Sequence, residues 1–170
     1  MSPFSPVEYH AAERNAGLAL ALVGFASAAS AGWIVRARGP WTAMAWPLVL
    51  GALVELGVGA GMALGAHREL ARQATPNAET MVALASRVAG QVKSYRVATR
   101  VELGLLVLAA LLSLGILRTG TTRAVFLGIL LEAVALLCFD TFGLGRATQN
   151  LERLRANDRT PAVDSIGWKN

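Results

Sequence analysis

Three carboxylates stand in stretches of chain otherwise free of charge: Glu55 within residues 41–66, and Glu132 and Asp140 within residues 124–145. An ionised carboxylate at mid-bilayer costs about 2.5–3.5 kcal/mol on the insertion scale. Three would cost on the order of 8–10 kcal/mol, comparable to the stability of a whole domain. No Lys, Arg or His stands at mid-depth in any apolar stretch to compensate. Acids so placed are expected to be protonated, to share hydrogen bonds or to face trapped water. Their chemistry would be proton or cation exchange. The plainer alternative is neutral carboxyls acting as interhelical glue, worth about 1 kcal/mol each.

The elements that must position these acids follow from composition. Of 170 residues, 54% are hydrophobic and only 16% charged, against about 25% charged in soluble domains. A bilayer core about 30 Å thick needs roughly 20 apolar residues in a helix. Four stretches qualify, at about 15–35, 41–66, 101–117 and 124–145, the third being shorter with Arg100 and Glu102 able to snorkel at its entrance. The expected fold is all-α: an integral membrane four-helix bundle, one domain over residues 1–160, with an amphipathic helical segment between the second and third spans. Residues 161–170 form a flexible tail.

Local signals mark the ends. Ser5-Pro6-Val7-Glu8 reads as a capping box with proline at the first helical position, and Phe4 and Tyr9 occupy the positions of a hydrophobic staple. Ala29-Ser30-Ala31 has the small-x-small pattern of a signal-peptide cleavage site. The leading segment, however, holds Glu8 and Glu13 beside Arg14, unlike a positive n-region, which favours one uncleaved rod to Arg38. Gly39-Pro40 closes it, with Gly39 expected in the left-handed conformation. Residues 118–123 form a second hairpin. Pro47, one turn into the second span, predicts a local kink. Trp33, Trp41 and Trp46 fall near the hairpin face, at headgroup level.

Twelve Lys and Arg lie on the face of the termini and four on the hairpin face, so the positive-inside rule puts both termini in the cytoplasm. The net charge of +5 is then mostly a topology signal, and no nucleic-acid partner is expected. Gly57, Gly61 and Gly65 form a small-xxx-small row on the second span, as Gly24, Ala28 and Gly32 do on the first; such rows let helices approach closely. Packing within the bundle is favoured over a homodimer seam.

In the middle segment Met81, Leu84, Ala85, Val88, Val92, Tyr95 and Thr99 recur at helical spacing, while Arg87, Gln91, Lys93 and Ser94 turn elsewhere. This helix runs on into the third span. After Gly145, Leu151 and Leu154 with Arg153 and Arg155 suggest a short helical tail.

Depth narrows the partners of the acids. From the hairpin face, Glu132 lies about 12 Å in, Glu55 about 18 Å and Asp140 about 24 Å, at 1.5 Å per residue. Glu55 can therefore meet either of the others, with Ser27 and Ser113 near the level of Glu132. Asp140 can reach Arg100 or Arg146. Glu13, Arg14, Arg100, Glu102 and Arg146 all lie near the terminal face, where an ion network can pin helix ends.

His10 and His67 also lie there, but two interfacial histidines make a poor metal or haem site. No metal, cofactor or catalytic constellation is expected. Cys138, in an apolar span, reads as a buried inert thiol.

Glu13-Arg14-x-x-Gly17, Tyr95 ahead of Val101-Glu102, and Asp140-x-Phe142 followed by Arg146 together resemble a group of small, functionally uncharacterised four-span bacterial inner-membrane proteins. The resemblance covers most of the chain. It implies a multi-pass bacterial inner-membrane location and no particular activity.

Three functions remain in view. The first is action through contact with another membrane protein or with a second copy, as an accessory subunit or a toxin-immunity protein, through the amphipathic helix. The second is a small proton- or ion-coupled transporter using the buried acids. The third is a membrane enzyme acting on lipid through Tyr95, His10 and His67.

Overall fold

The computed structural model describes residues 5–72, 78–113 and 120–158, all built around four long helices: α1 (Pro6–Ala37), α2 (Ala45–Arg72), α3 (Ala78–Leu111) and α4 (Gly120–Asp158). Three of these regions, Pro6–Ala37, Thr42–Ala71 and Gly120–Ala156, are long and apolar enough to cross a membrane. Their outer faces carry large apolar side chains such as Leu22, Phe25, Leu53 and Phe142, exposed as a lipid-facing surface would have them. The third predicted span, 101–117, lies partly outside the described residues. Its described part continues α3 without a break.

α1 starts where the capping box places it, with Ser5 extended and its hydroxyl accepting the Glu8 amide at 3.4 Å. Its end differs from expectation. Arg38, not Gly39, takes the left-handed conformation, at φ 48°, and donates its amide to the Val35 carbonyl. The Gly39 carbonyl accepts both the amide and the hydroxyl of Thr42, the latter at 2.7 Å. A 3-10 turn (Thr42–Met44) then leads into α2. Pro47 therefore falls in the first turn of α2, where amides have no carbonyl to reach, and the predicted kink has no cause.

α1 packs along α2 and α3 along α4; the two pairs join mainly where α4 meets α2 and the 3-10 turn. The α1–α2 seam is glycine-made, but of the two predicted rows only Gly24 belongs to it: a Cβ there would stand 2.9 Å from the Leu56 amide and 3.0 Å from the Ala52 carbonyl, whereas Gly32 meets nothing within 4 Å. A Cβ on Gly17 would stand 2.6 Å from the Gly59 carbonyl and the Ala63 amide, and one on Gly59 would stand 2.6 Å from the Gly17 carbonyl. Gly57, Gly61 and Gly65 meet nothing within 4 Å, and Gly57 and Gly61 are exposed. The row at 57–61–65 and the seam at 59–63 lie on different faces of one helix.

At the terminal end Tyr9 of α1, Val88 of α3 and Leu154 of α4 form a buried cluster, with Met81, Leu84, Ala85 and Leu151 packed against it. The amphipathic face of α3 is thus covered from within the molecule. The residues after Gly145 are no separate tail, since α4 is one helix of 39 residues.

Candidate functional site: a buried acid pair beside an open groove

Two of the three span acids come together. Glu55 on α2 is fully buried and Glu132 on α4 is 7% exposed. The two carboxyl groups and the Ser27 hydroxyl of α1 form one interacting cluster. None of the four carboxyl oxygens is held in a well-formed hydrogen bond among the described residues. Glycines make the room. A Cβ on Gly24 would stand 2.9 Å from the Cβ of Glu55, and a Cβ on Gly51 would stand inside the Glu132 carboxyl group. Neighbouring carboxylates in an apolar surrounding do not both ionise, so this pair holds at least one proton unless a cation joins it.

A groove runs beside the pair, whose four carboxyl oxygens are themselves buried. It has a volume of about 620 Å³ and opens along α1, closed by the start of α2 and by Leu131 and Glu132 of α4. On α1 it is lined by one helical stripe that includes Val23, Ser27, Ser30 and Ile34. Glu132 forms part of its wall, but its carboxyl oxygens, like those of Glu55, are buried, and its carboxyl packs against Gly51 of α2.

Asp140 takes a different partner from the one its charge suggested. It pairs with Glu102 of α3 rather than with an arginine. Arg100 is exposed on α3, and Arg14 is half-buried with its Nε unpartnered. Ser113 is buried on the last described turn after α3, its hydroxyl unpartnered.

The expected interfacial network of Glu13, Arg14, Arg100, Glu102 and Arg146 is therefore divided. Its main hub is Glu13, whose carboxylate accepts from Gln91 Nε2, lies 3.3 Å from His10 Nδ1 and is 3.7 Å from the Arg87 guanidinium. Gln91 Oε1 in turn accepts the Tyr9 hydroxyl at 2.7 Å. Arg87 and Gln91 thus face the hub and do not turn away, because α3 is rotated to bury Val88 and Val92 on either side of Gln91. Arg146 donates to the Ala12 carbonyl at 3.0 Å. Between them lies a small cavity of about 20 Å³ (measured to the centre of a water-sized sphere), lined in part by Tyr9, Glu13, Tyr95 and Arg146. That is room for a single water. Burial pushes the Tyr95 phenol above its ordinary range, against a smaller opposing effect of Arg146.

His67 is exposed, and among the described residues no three His, Cys, Asp or Glu side chains converge to hold a metal ion. Cys138 is exposed on α4, not buried as the sequence suggested. Gln91 and Gly51 were the functional neighbours missed in sequence. Their only signal was position: Gln91 lies three residues from Val88 and so flanks the apolar stripe. No family model, no curated protein and no solved structure matches the chain.

Proposed function

We propose that the chain is a four-span membrane bundle, of the bacterial cytoplasmic membrane as its motif order implies, that works by exchanging a proton at the Glu55–Glu132 pair for a cationic guest. It is a proton-coupled carrier or binding protein. The observation that carries this reading is the meeting of two span acids from α2 and α4 at the edge of an open groove. Structural glue would satisfy the oxygens of both buried carboxyls; here, among the described residues, none of the four is held in a well-formed hydrogen bond.

The test is proton release from the purified chain in weakly buffered detergent. As pH rises, the wild type should release a proton that Glu132→Gln and Glu55→Gln do not. Identical titration of all three proteins would remove the exchanging site.

One observation favours a second reading, contact with another membrane helix. The row Gly57–Gly61–Gly65 is open to the outside along an apolar helix, as helix-pairing surfaces in lipid are. The amphipathic face of α3, the sequence's first candidate for such contact, is already occupied by Tyr9, Leu151 and Leu154. Sedimentation in detergent distinguishes the two: Gly61→Ile would lower the assembled fraction only if this row pairs.

A further inference from the structure

We infer that the outward face of α3 binds an anionic phospholipid of the leaflet around it, holding the headgroup with Lys93, Arg96 and Arg100. This rests on the four-span reading, since α3 must stand in lipid, and is independent of proton exchange at Glu55–Glu132.

Periodicity is the first observation. At 3.6 residues per turn, positions 93, 96, 100, 103, 107 and 111 of α3 fall within an arc of about 80°. All six side chains are exposed. Tyr95 and Glu102 stand on the opposite side of the helix, where they meet Gly143 and Asp140 of α4. The stripe is therefore the side of α3 turned away from its neighbour.

The stripe changes character once along its length. Lys93, Arg96 and Arg100 make its first part basic; Leu103, Val107 and Leu111 make the rest apolar. At 1.5 Å per residue the basic part covers about 10 Å and the apolar part about 12 Å. A headgroup layer is roughly 5–8 Å deep, a depth that long Lys and Arg side chains can follow, and one leaflet's hydrocarbon is about 15 Å thick. Gly104, beside the stripe, leaves room for a chain to lie close, since a Cβ there would meet nothing within 4 Å.

Charge selects the occupant. Among the described residues, no hydrogen bond or ion pair engages Lys93, Arg96 or Arg100. Between residues 81 and 111 the only acid is Glu102, on the far side of the helix. A zwitterionic phospholipid carries its own cation beside its phosphate and gains less from three more. A free phosphate answers the charges but leaves the apolar turns bare. An anionic phospholipid answers both, with the arginines able to grip its phosphate through two parallel hydrogen bonds.

The experiment places the full chain in phosphatidylcholine vesicles and reads, by electron spin resonance, the immobilised fraction of spin-labelled phosphatidylglycerol or phosphatidylcholine. Phosphatidylglycerol should be preferred, and less so as salt is raised. Arg96→Gln and Arg100→Gln should each lower that preference about fivefold, and the two together about twenty-fivefold. Arg68→Gln with Arg155→Gln removes as much charge from exposed positions on α2 and α4 and should leave the preference in place. Inorganic phosphate should displace the lipid no better than chloride at equal ionic strength. No preference for phosphatidylglycerol, an equal loss in both double variants, or specific displacement by phosphate overturns the proposal. Proton release from the acid pair, followed on the same proteins, should be unchanged in every variant, so that losing the lipid site and losing the exchanging site are told apart.

Discussion

The Glu132 carboxyl on α4 fills the space in which a side chain on Gly51 of α2 would stand. The shortest possible side chain at Gly51 must therefore move the acid. Gly51→Ala is expected to cost about 1–3 kcal/mol by overpacking and to shift the pH of the proton release that Glu132→Gln removes. Thermal unfolding and proton release, both in detergent, check the two effects. Gly57→Ala, with nothing within 4 Å of its Cβ, is the control and should leave both unchanged.

The α1–α2 seam is less forgiving, because its close neighbours are backbone. Gly59→Ala would bring a methyl to 2.6 Å from the Gly17 carbonyl and the Ala21 amide, neither of which can rotate away. The two helices must separate, with a loss of about 3 kcal/mol, at the upper end of overpacking costs. Gly61→Ala should stay within about 0.5 kcal/mol, as exposed substitutions do. Equal losses at the two positions, by unfolding in a graded denaturing detergent, would contradict the seam.

Tyr95 predicts a pH dependence with a definite sign. Its ring lies across Gly143, where a Cβ would meet ring carbons at 2.7 Å, and burial raises its pKa in the folded state. The folded protein then holds the phenolic proton more tightly than the unfolded chain. Stability is unaffected by this group below the unfolded value of about 10 and falls as pH rises past it. Melting temperatures measured from pH 8 upward should drop less steeply for Tyr95→Phe than for the wild type.

How much of this was legible in the sequence depends on what each residue's surroundings had to reveal. The start of α1 was readable because Ser5, Pro6 and Glu8 act on their own backbone. The meeting of Glu55 with Glu132 was readable as one of two options, since depth along parallel spans is simple counting. Helix rotation was not. In a span apolar on every face, Gly57–Gly61–Gly65 and Gly59–Ala63 are equally good seams by spacing, and only the neighbour decides. For the same reason charge pointed Asp140 toward an arginine, while the orientation of α3 delivers Glu102. Gln91 was misread because the apolar stripe of α3 was drawn too narrow: a polar residue at its edge, beside Val88 and Val92, reaches the neighbouring helix end.

That edge position makes the Glu13 hub the join between α1 and α3, whose backbones do not come together anywhere along the described residues. The Tyr9 hydroxyl, the Gln91 amide and the Glu13 carboxylate form one chain of hydrogen bonds across the gap, with His10 and Arg87 on the same carboxylate. Glu13→Ala leaves the Gln91 amide and the His10 ring without their acceptor, at a cost of about 1–3 kcal/mol for groups this buried. Gln91→Leu removes the middle of the chain and should cost a similar amount. Because both substitutions break one network, the double variant should lose less than the sum of the two, with a coupling of about 1 kcal/mol or more. Spin labels at exposed Val7 on α1 and Val82 on α3 would report the join directly. Their distance distribution should broaden in either single variant and broaden no further in the double. Additive losses with an unchanged distance distribution would mean that the Tyr9–Val88–Leu154 cluster alone holds these helix ends together.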